Sequence, residues 1–285
     1  MKKVVIESKS TKDIKSKYSQ LFDFHKNLDS EEENELKKYV EQVKTRSEED
    51  WQPPQPSSDA KIWRYISFTQ LLSILEREEI WFTNASKFED PYEGMVPKPN
   101  IEHRVEKVQE IAGCDQDEAK SLLSFYDIEG VTSRTFVNCW NISRHESAAL
   151  WEQYLESSQG VAVTSQVRDL REAILTDEDV KFGEIEYIDY NSDRIPEGPI
   201  PPLYHKRNSF EHENEFRVSL IPEKENNPKD GKYVPVDTGK LINEIYLPPS
   251  SRGWFFNLIG EVIETYDVDC ELKESEILSS PGYGV

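Results

Sequence analysis

The segment from Tyr204 to Leu220 concentrates acids, bases and imidazoles just before a stretch that alternates like a strand. From Glu213 onward Asn214, Phe216, Val218 and Leu220 share one face, and Glu213, Glu215, Arg217 and Ser219 share the other, with same-face neighbours about 6.6 Å apart. The first face suits a core. The second, reached also by Lys206 and Arg207, suits gripping a polar ligand or stabilising a developing cation with a carboxylate. The same pattern equally describes a structural ion-pair ladder. His205 and His212 lie close by, but no His-Glu-x-x-His spacing and no third ligand accompanies them, so no metal ligands are assigned.

Several elements must position these groups. Ile62 to Ile66 reads as a strand carrying Arg64 and Tyr65, and Ser67 to Gln70 as a capping box leading a helix through Leu71, Leu72, Ile74 and Leu75. Ile80 to Thr83 is the next strand, followed by a polar, turn-rich loop from Asn84 to Gly94 that includes Asp90. Helical periodicity over 101–126 breaks near Gly113. Thr135 to Trp140 forms a strand, with Ser143 and Glu146 as a further capping box before a helix bearing Trp151 and Tyr154. Trp140, Trp151 and Tyr154 can wall a flat ligand or simply fill a core. Gly160 to Ser165 is a buried strand ending in two hydroxyls, Val180 to Tyr190 a longer one, and Leu241 to Leu247 another before a last amphipathic helix.

Residues 1–59 stand apart as a helical extension, capped at Ser30 and Glu33, and a Pro-rich linker. This helix either lies on its own domain or mediates assembly with a partner. Residues 60–285 read as a single α+β domain, a mixed, mostly antiparallel sheet with flanking helices.

Composition excludes several function classes. A net charge of −21 over 285 residues argues against nonspecific duplex binding, which comes from neutralising phosphates with Lys and Arg. Three scattered cysteines, Cys114, Cys139 and Cys270, form neither a disulfide framework nor a zinc site. No apolar run reaches the roughly 18 residues of a membrane span, so the expected location is cytoplasmic, with no membrane partner. With Gly at 12 positions, a glycine phosphate cradle has little support.

Together, Trp63 to Tyr65, Ile80 to Thr83, Phe88 to Glu93, Cys139–Trp140, Glu146–Ser147, Trp151 with Tyr154, Gly160 to Val163, and Lys206 before Glu213, Glu215 and Arg217 resemble the family catalogued as domain of unknown function 2971, over about residues 60–280. Glu89 stands where that family commonly has Asn. The resemblance implies a prokaryotic protein with some relatives among antiviral defence genes, and names no activity. A second resemblance, in layout, is to ADP-ribosyltransferases of the Arg–Ser–Glu type, whose order is matched by Arg64, Thr164–Ser165 and Glu213-x-Glu215. It implies that Arg64 binds the diphosphate of NAD, a hydroxyl of Thr164–Ser165 orients the site, an aromatic such as Trp151 or Tyr154 stacks on nicotinamide, and Glu215 stabilises positive charge on the ribose and activates the acceptor.

The resulting expectation is a toxin-like effector acting on a nucleotide or nucleic acid through ADP-ribosyl transfer or NAD consumption. Its catalytic residues would be Glu213, Glu215 and Arg64. The ligand-binding residues would be Tyr65, Asn84, Asp90, Trp140, Trp151, Tyr154, Ser165, Lys206, Arg207 and Arg217. The alternatives are a non-enzymatic nucleotide-binding or protein-interaction module, and a metal-dependent nuclease using Glu213, Glu215 and Lys206.

Overall fold

The computed structural model describes residues 29–45, 51–125, 132–154, 159–222 and 230–280. The strands are β1 (Lys61–Ser67), β2 (Glu79–Asn84), β3 (Phe136–Ile142), β4 (Gly160–Gln166), β5 (Val180–Glu184), β6 (Glu186–Ile188), β7 (His205–Arg207), β8 (Glu215–Leu220), β9 (Gly231–Pro235), β10 (Glu244–Leu247) and β11 (Glu271–Glu274). The helices are α1 (Ser30–Thr45), α2 (Phe68–Arg77), α3 (Lys98–Ala112), α4 (Gln116–Phe125), α5 (Ala148–Tyr154), α6 (Val167–Ala173), α7 (Thr238–Leu241) and α8 (Gly253–Thr265). None of the described helices is long and apolar enough to cross a membrane.

Two compact units share the chain, and neither is continuous in sequence. One takes residues 1–51, 95–130 and 189–202; the other takes 52–94, 131–188 and 203–285. The boundary expected at residue 59 does not coincide with this division. Leu36 and Val40 of α1 share a core with Val105, Val108, Ala112, Ala119 and Leu122 of α3 and α4. Within this unit the Arg104 guanidinium meets Glu197 at 2.6 Å, and Asn100 donates to the Ile195 carbonyl at 2.8 Å. Its first helix is capped by Asp29, which accepts from the Glu32 N–H, rather than by Ser30.

The second unit is α+β, built on a nine-stranded, mostly antiparallel sheet ordered β11-β10-β4-β1-β3-β2-β9, with β8 pairing β3 and β5. The pair β10–β11 is parallel. A separate parallel pair joins β6 to β7. Ile62, Ile66, Val161, Val163, Phe216, Val218 and Leu220 bury one face under Leu71 and Leu75 of α2, Leu170 of α6, and Phe255 and Ile259 of α8. The expected box at the start of α2 forms: Ser67 accepts from the Gln70 N–H while the Gln70 side chain accepts from the Ser67 N–H. The expected box at Ser143 and Glu146 does not. There α5 starts later, with Ser147 as the group accepting from Leu150 N–H, and Glu146 accepts instead from Trp151 Nε1 at 2.8 Å.

The Pro-rich segment expected to be a linker is a strap on β5. Pro54 O accepts from Glu184 N–H at 2.8 Å, and Gln55 Nε2 donates to Phe182 O at 2.6 Å. Gly183 makes this approach feasible, since a Cβ there would lie 2.2 Å from Pro53 Cβ.

Candidate active site

The alternating pattern starts two residues later than the sequence suggests. Glu213 ends a 3-10 turn, Asn214 takes a left-handed conformation with φ 38, and only then does β8 begin. Both faces of β8 are buried, because Phe216, Val218 and Leu220 lie in the core and the charged side is covered by other polar groups. Arg217 is fully buried, and its three donor nitrogens each find an acceptor: Nε to Glu215 Oε1 at 2.7 Å, Nη1 to Leu203 O at 2.7 Å, and Nη2 to Glu93. The guanidinium also lies 4.8 Å from the Phe88 ring centre.

Lys206, buried on β7, reaches the same carboxylates. Its Nζ donates to Glu213 Oε2 at 2.6 Å and Glu215 Oε2 at 3.0 Å, and lies 3.6 Å from Glu93 Oε1. The cluster therefore holds three carboxylates against two cations, one negative charge in excess. Burial alone would raise the Glu215 pKa, but Arg217 and Lys206 outweigh it and hold the carboxyl well below the usual range. Burial likewise works against the charge on Lys206 and on Arg217, and the facing carboxylates reverse it, so both stay protonated more firmly than in water. Burial pushes the Cys139 thiol up, and the negative charge of Glu215 pushes it the same way.

The two glutamates are not equivalent. Glu215 is bound on both oxygens by cations, whereas among the described residues Lys206 is the single donor to the Glu213 carboxylate. Lys206 Nζ bridges the two carboxylates. Among the described residues no group of three or more His, Cys, Asp or Glu side chains is placed to hold a metal.

A cavity of about 460 Å³ opens beside this cluster, and strand pairing explains why. One edge of β3 is paired with β2 only at Phe136 and Val137, and with β1 only at Asn141 and Ile142. Between these rungs the ladder is interrupted, and Val137, Cys139, Trp140 and Asn141 line the cavity opposite Arg64 and Tyr65. Ser143 N–H bonds Lys61 O on this edge while Ile142 N–H bonds Asn214 O on the other, so by alternation the Cys139 N–H and C=O turn toward the gap. Glu213, Glu215, Thr83 and Phe88 also line it, with the polar Gln70, Lys87 and Glu89.

Arg64 and Glu215 line one cavity but leave the sheet on opposite sides. Glu215 is in register with Asn141 and Asn141 with Trp63, so Glu215 shares a face with Trp63 and not with Arg64. The Arg64 guanidinium accordingly lies 5.9 Å from the Trp140 ring. Trp140 thus has a place at the site. Tyr65 does too, its hydroxyl fixed by Ser147 N–H at 2.8 Å and its pKa raised by burial to about 12.

Other expected ligand residues are engaged elsewhere. Asn84 caps a turn, accepting from Ser86 N–H at 2.9 Å and donating to Ser133 O at 3.0 Å. Asp90 holds Arg207 through two hydrogen bonds of 2.7 and 3.1 Å, which pins the loop after β2. Trp151 packs edge-on against Tyr65 at 5.0 Å, in a small core with Trp63, Leu150 and Ala162. Ser165 is buried in register with Ile62 and is not among the cavity residues. The Tyr154 side chain lies outside the described residues. Glu93 and Asn141 were not foreseen. Asn141 had a signal, a polar residue in an otherwise apolar strand, whereas Glu93 sat in an acidic loop that offered no reason to prefer it.

The sheet and its site define an α+β protein with a buried charge cluster on the wall of a polar cavity. No family model matches the chain, and no curated protein matches it in sequence. Among solved structures it is similar to Thermus sp. 2.9 DarT in complex with NAD+, at 9% identity and a TM-score of 0.38 over 78% of this chain and 98% of that one. DarT of the same source in complex with ADP-ribosylated ssDNA aligns at 8% identity and a TM-score of 0.36, over 79% and 97% of the two chains.

Proposed function

We propose that this protein is an enzyme of ADP-ribosyl transfer or NAD consumption acting on a nucleotide or nucleic acid. On the motifs between Trp63 and Arg217 we further propose kinship with the domain of unknown function 2971 family and a role in antiviral defence. One observation carries the reading: a cavity with a carboxylate cluster of excess negative charge on one side and Arg64 over Trp140 on the other. Its volume lies within the roughly 300–1,000 Å³ of small-molecule sites.

The donor set fits NAD, with Arg64 for a phosphate, Trp140 for a flat ring and carboxylates for a sugar that becomes positive. When NAD is bound, transfer of its ADP-ribosyl group breaks the nicotinamide–ribose bond, the electron pair leaving with nicotinamide. Glu213, the less committed carboxylate, stabilises the charge and takes the proton of the attacking hydroxyl or amine. Glu215 holds Lys206 and Arg217 in place and is a positioning residue.

The test is nicotinamide release from NAD, followed chromatographically with single-stranded DNA, RNA or mononucleotides as acceptors. Glu213→Gln should lower the rate by about 10²-fold or more and move the melting temperature by only a few degrees. No release by the parent protein with any acceptor would overturn the reading. NAD binding without release would favour the non-enzymatic nucleotide-binding module, which the full ion pairing of Glu215 also suits.

A further inference from the structure

Asn141 is more than nine-tenths buried, lies in the cavity wall, and has half of its amide unsatisfied. Its Nδ2 donates to the Glu213 carbonyl at 2.6 Å, which fixes the orientation of the amide. Its Oδ1 finds no donor among the described residues. A buried acceptor left in this state is uncommon, because desolvating it without a hydrogen bond is costly. The residue stands at the last β1–β3 rung before the gap, with Trp63 opposite on one side and Glu215 on the other.

We infer that Asn141 is a specificity residue that accepts a hydrogen bond from a sugar hydroxyl of the ligand, so that the site prefers a ribosyl over a deoxyribosyl group. This rests on the nucleotide reading above. Two acceptors line the wall together: the Oδ1 itself and the carboxylate of Glu213, whose backbone carbonyl Asn141 holds and whose Oε1 receives no hydrogen bond among the described residues. An edge of a nucleobase that donates to one would set its neighbouring acceptor against the other. A ribose presents adjacent hydroxyls, each able to donate, and one fewer remains in the deoxy sugar.

The experiment is calorimetric titration of the full chain with ADP-ribose and with its counterpart lacking the 2-hydroxyl of the terminal sugar. The parent should bind ADP-ribose about tenfold more tightly, the scale of one hydrogen bond to a buried polar group. Asn141→Leu should lose that preference, with both probes binding like the deoxy probe to the parent. Asn141→Ser, which keeps an acceptor oxygen, should retain part of it and decides the matter if the Leu variant melts early. Equal binding of the two probes by the parent, binding of neither, or an undiminished preference in both variants overturns the inference. A preserved preference in a protein that never releases nicotinamide supports it while removing the enzymatic reading.

Discussion

Replacing Arg217 with Met tests whether the charge cluster holds the second unit together. Met is of similar length and apolar, so the substitution fills the space while removing every donor. It strands three acceptors: Glu215 Oε1 and Leu203 O, each 2.7 Å from the guanidinium, and the Glu93 carboxylate. Three carboxylates then face Lys206 alone. Removing one partner of a buried ionic network costs about 3–5 kcal/mol, and the complete burial of Arg217 places this case toward the upper end. For a domain of roughly 150–250 residues, about 2–4 °C accompany each kcal/mol, so the melting temperature should fall by ~6–20 °C. Urea unfolding with an unchanged slope would assign the loss to native stability and not to the denatured state. Glu93→Gln in the same background should show strong coupling, because both changes act on one contact. A fall of less than about 2 °C in the Arg217→Met variant would refute the idea that this network holds the sheet.

Acid should weaken the fold in a defined window. Glu215 and Glu244 both titrate in the native state below their unfolded values near 4.3, Glu244 at about 2 against burial because Lys273, Lys61 and Thr164 hold its carboxylate. Their contribution is complete above that unfolded value and is lost as pH falls from about 4.5 toward 2. Urea midpoints at pH 7, 4 and 3 should decline with a shallower loss in Glu244→Gln, and flat midpoints would contradict the assignment. Gly183→Ala should cost about 1–3 kcal/mol through the clash with Pro53 and hasten proteolysis within residues 52–58; an unchanged melting temperature would show that the strap yields freely.

What was legible in the sequence was local. The box at Ser67 and Gln70 needs only residues three apart, and the facing of Glu215, Arg217 and Ser219 needs only a period of two. Glu213 escaped that period because Asn214 accepts a left-handed backbone more readily than most residues, and the turn it makes sets where the strand begins. Ser143 matched a capping box, but Ser147 stands nearer the first helical turn and takes the role. Across longer distances the sequence was silent. Arg217 binds Glu93 from 124 residues away, and Arg64 faces Trp140 because of a β1–β3 register that nothing near Arg64 determines. The gap in that register is what creates the cavity, and a missing rung leaves no mark in composition or periodicity.

The strap on β5 bears on how copies of this chain meet one another. An uncovered strand offers a row of N–H and C=O groups on which another molecule can add a strand, the usual beginning of edge-to-edge aggregation. Here that row is occupied by residues whose own outer side includes Pro53 and Pro54, which have no N–H to offer. A newcomer would find nothing continuous to pair with. Replacing Pro53, Pro54 and Gln55 with Gly and Ser while keeping the rest of the chain would loosen the strap and expose β5 as a template, and self-association rising with concentration would be its first visible sign.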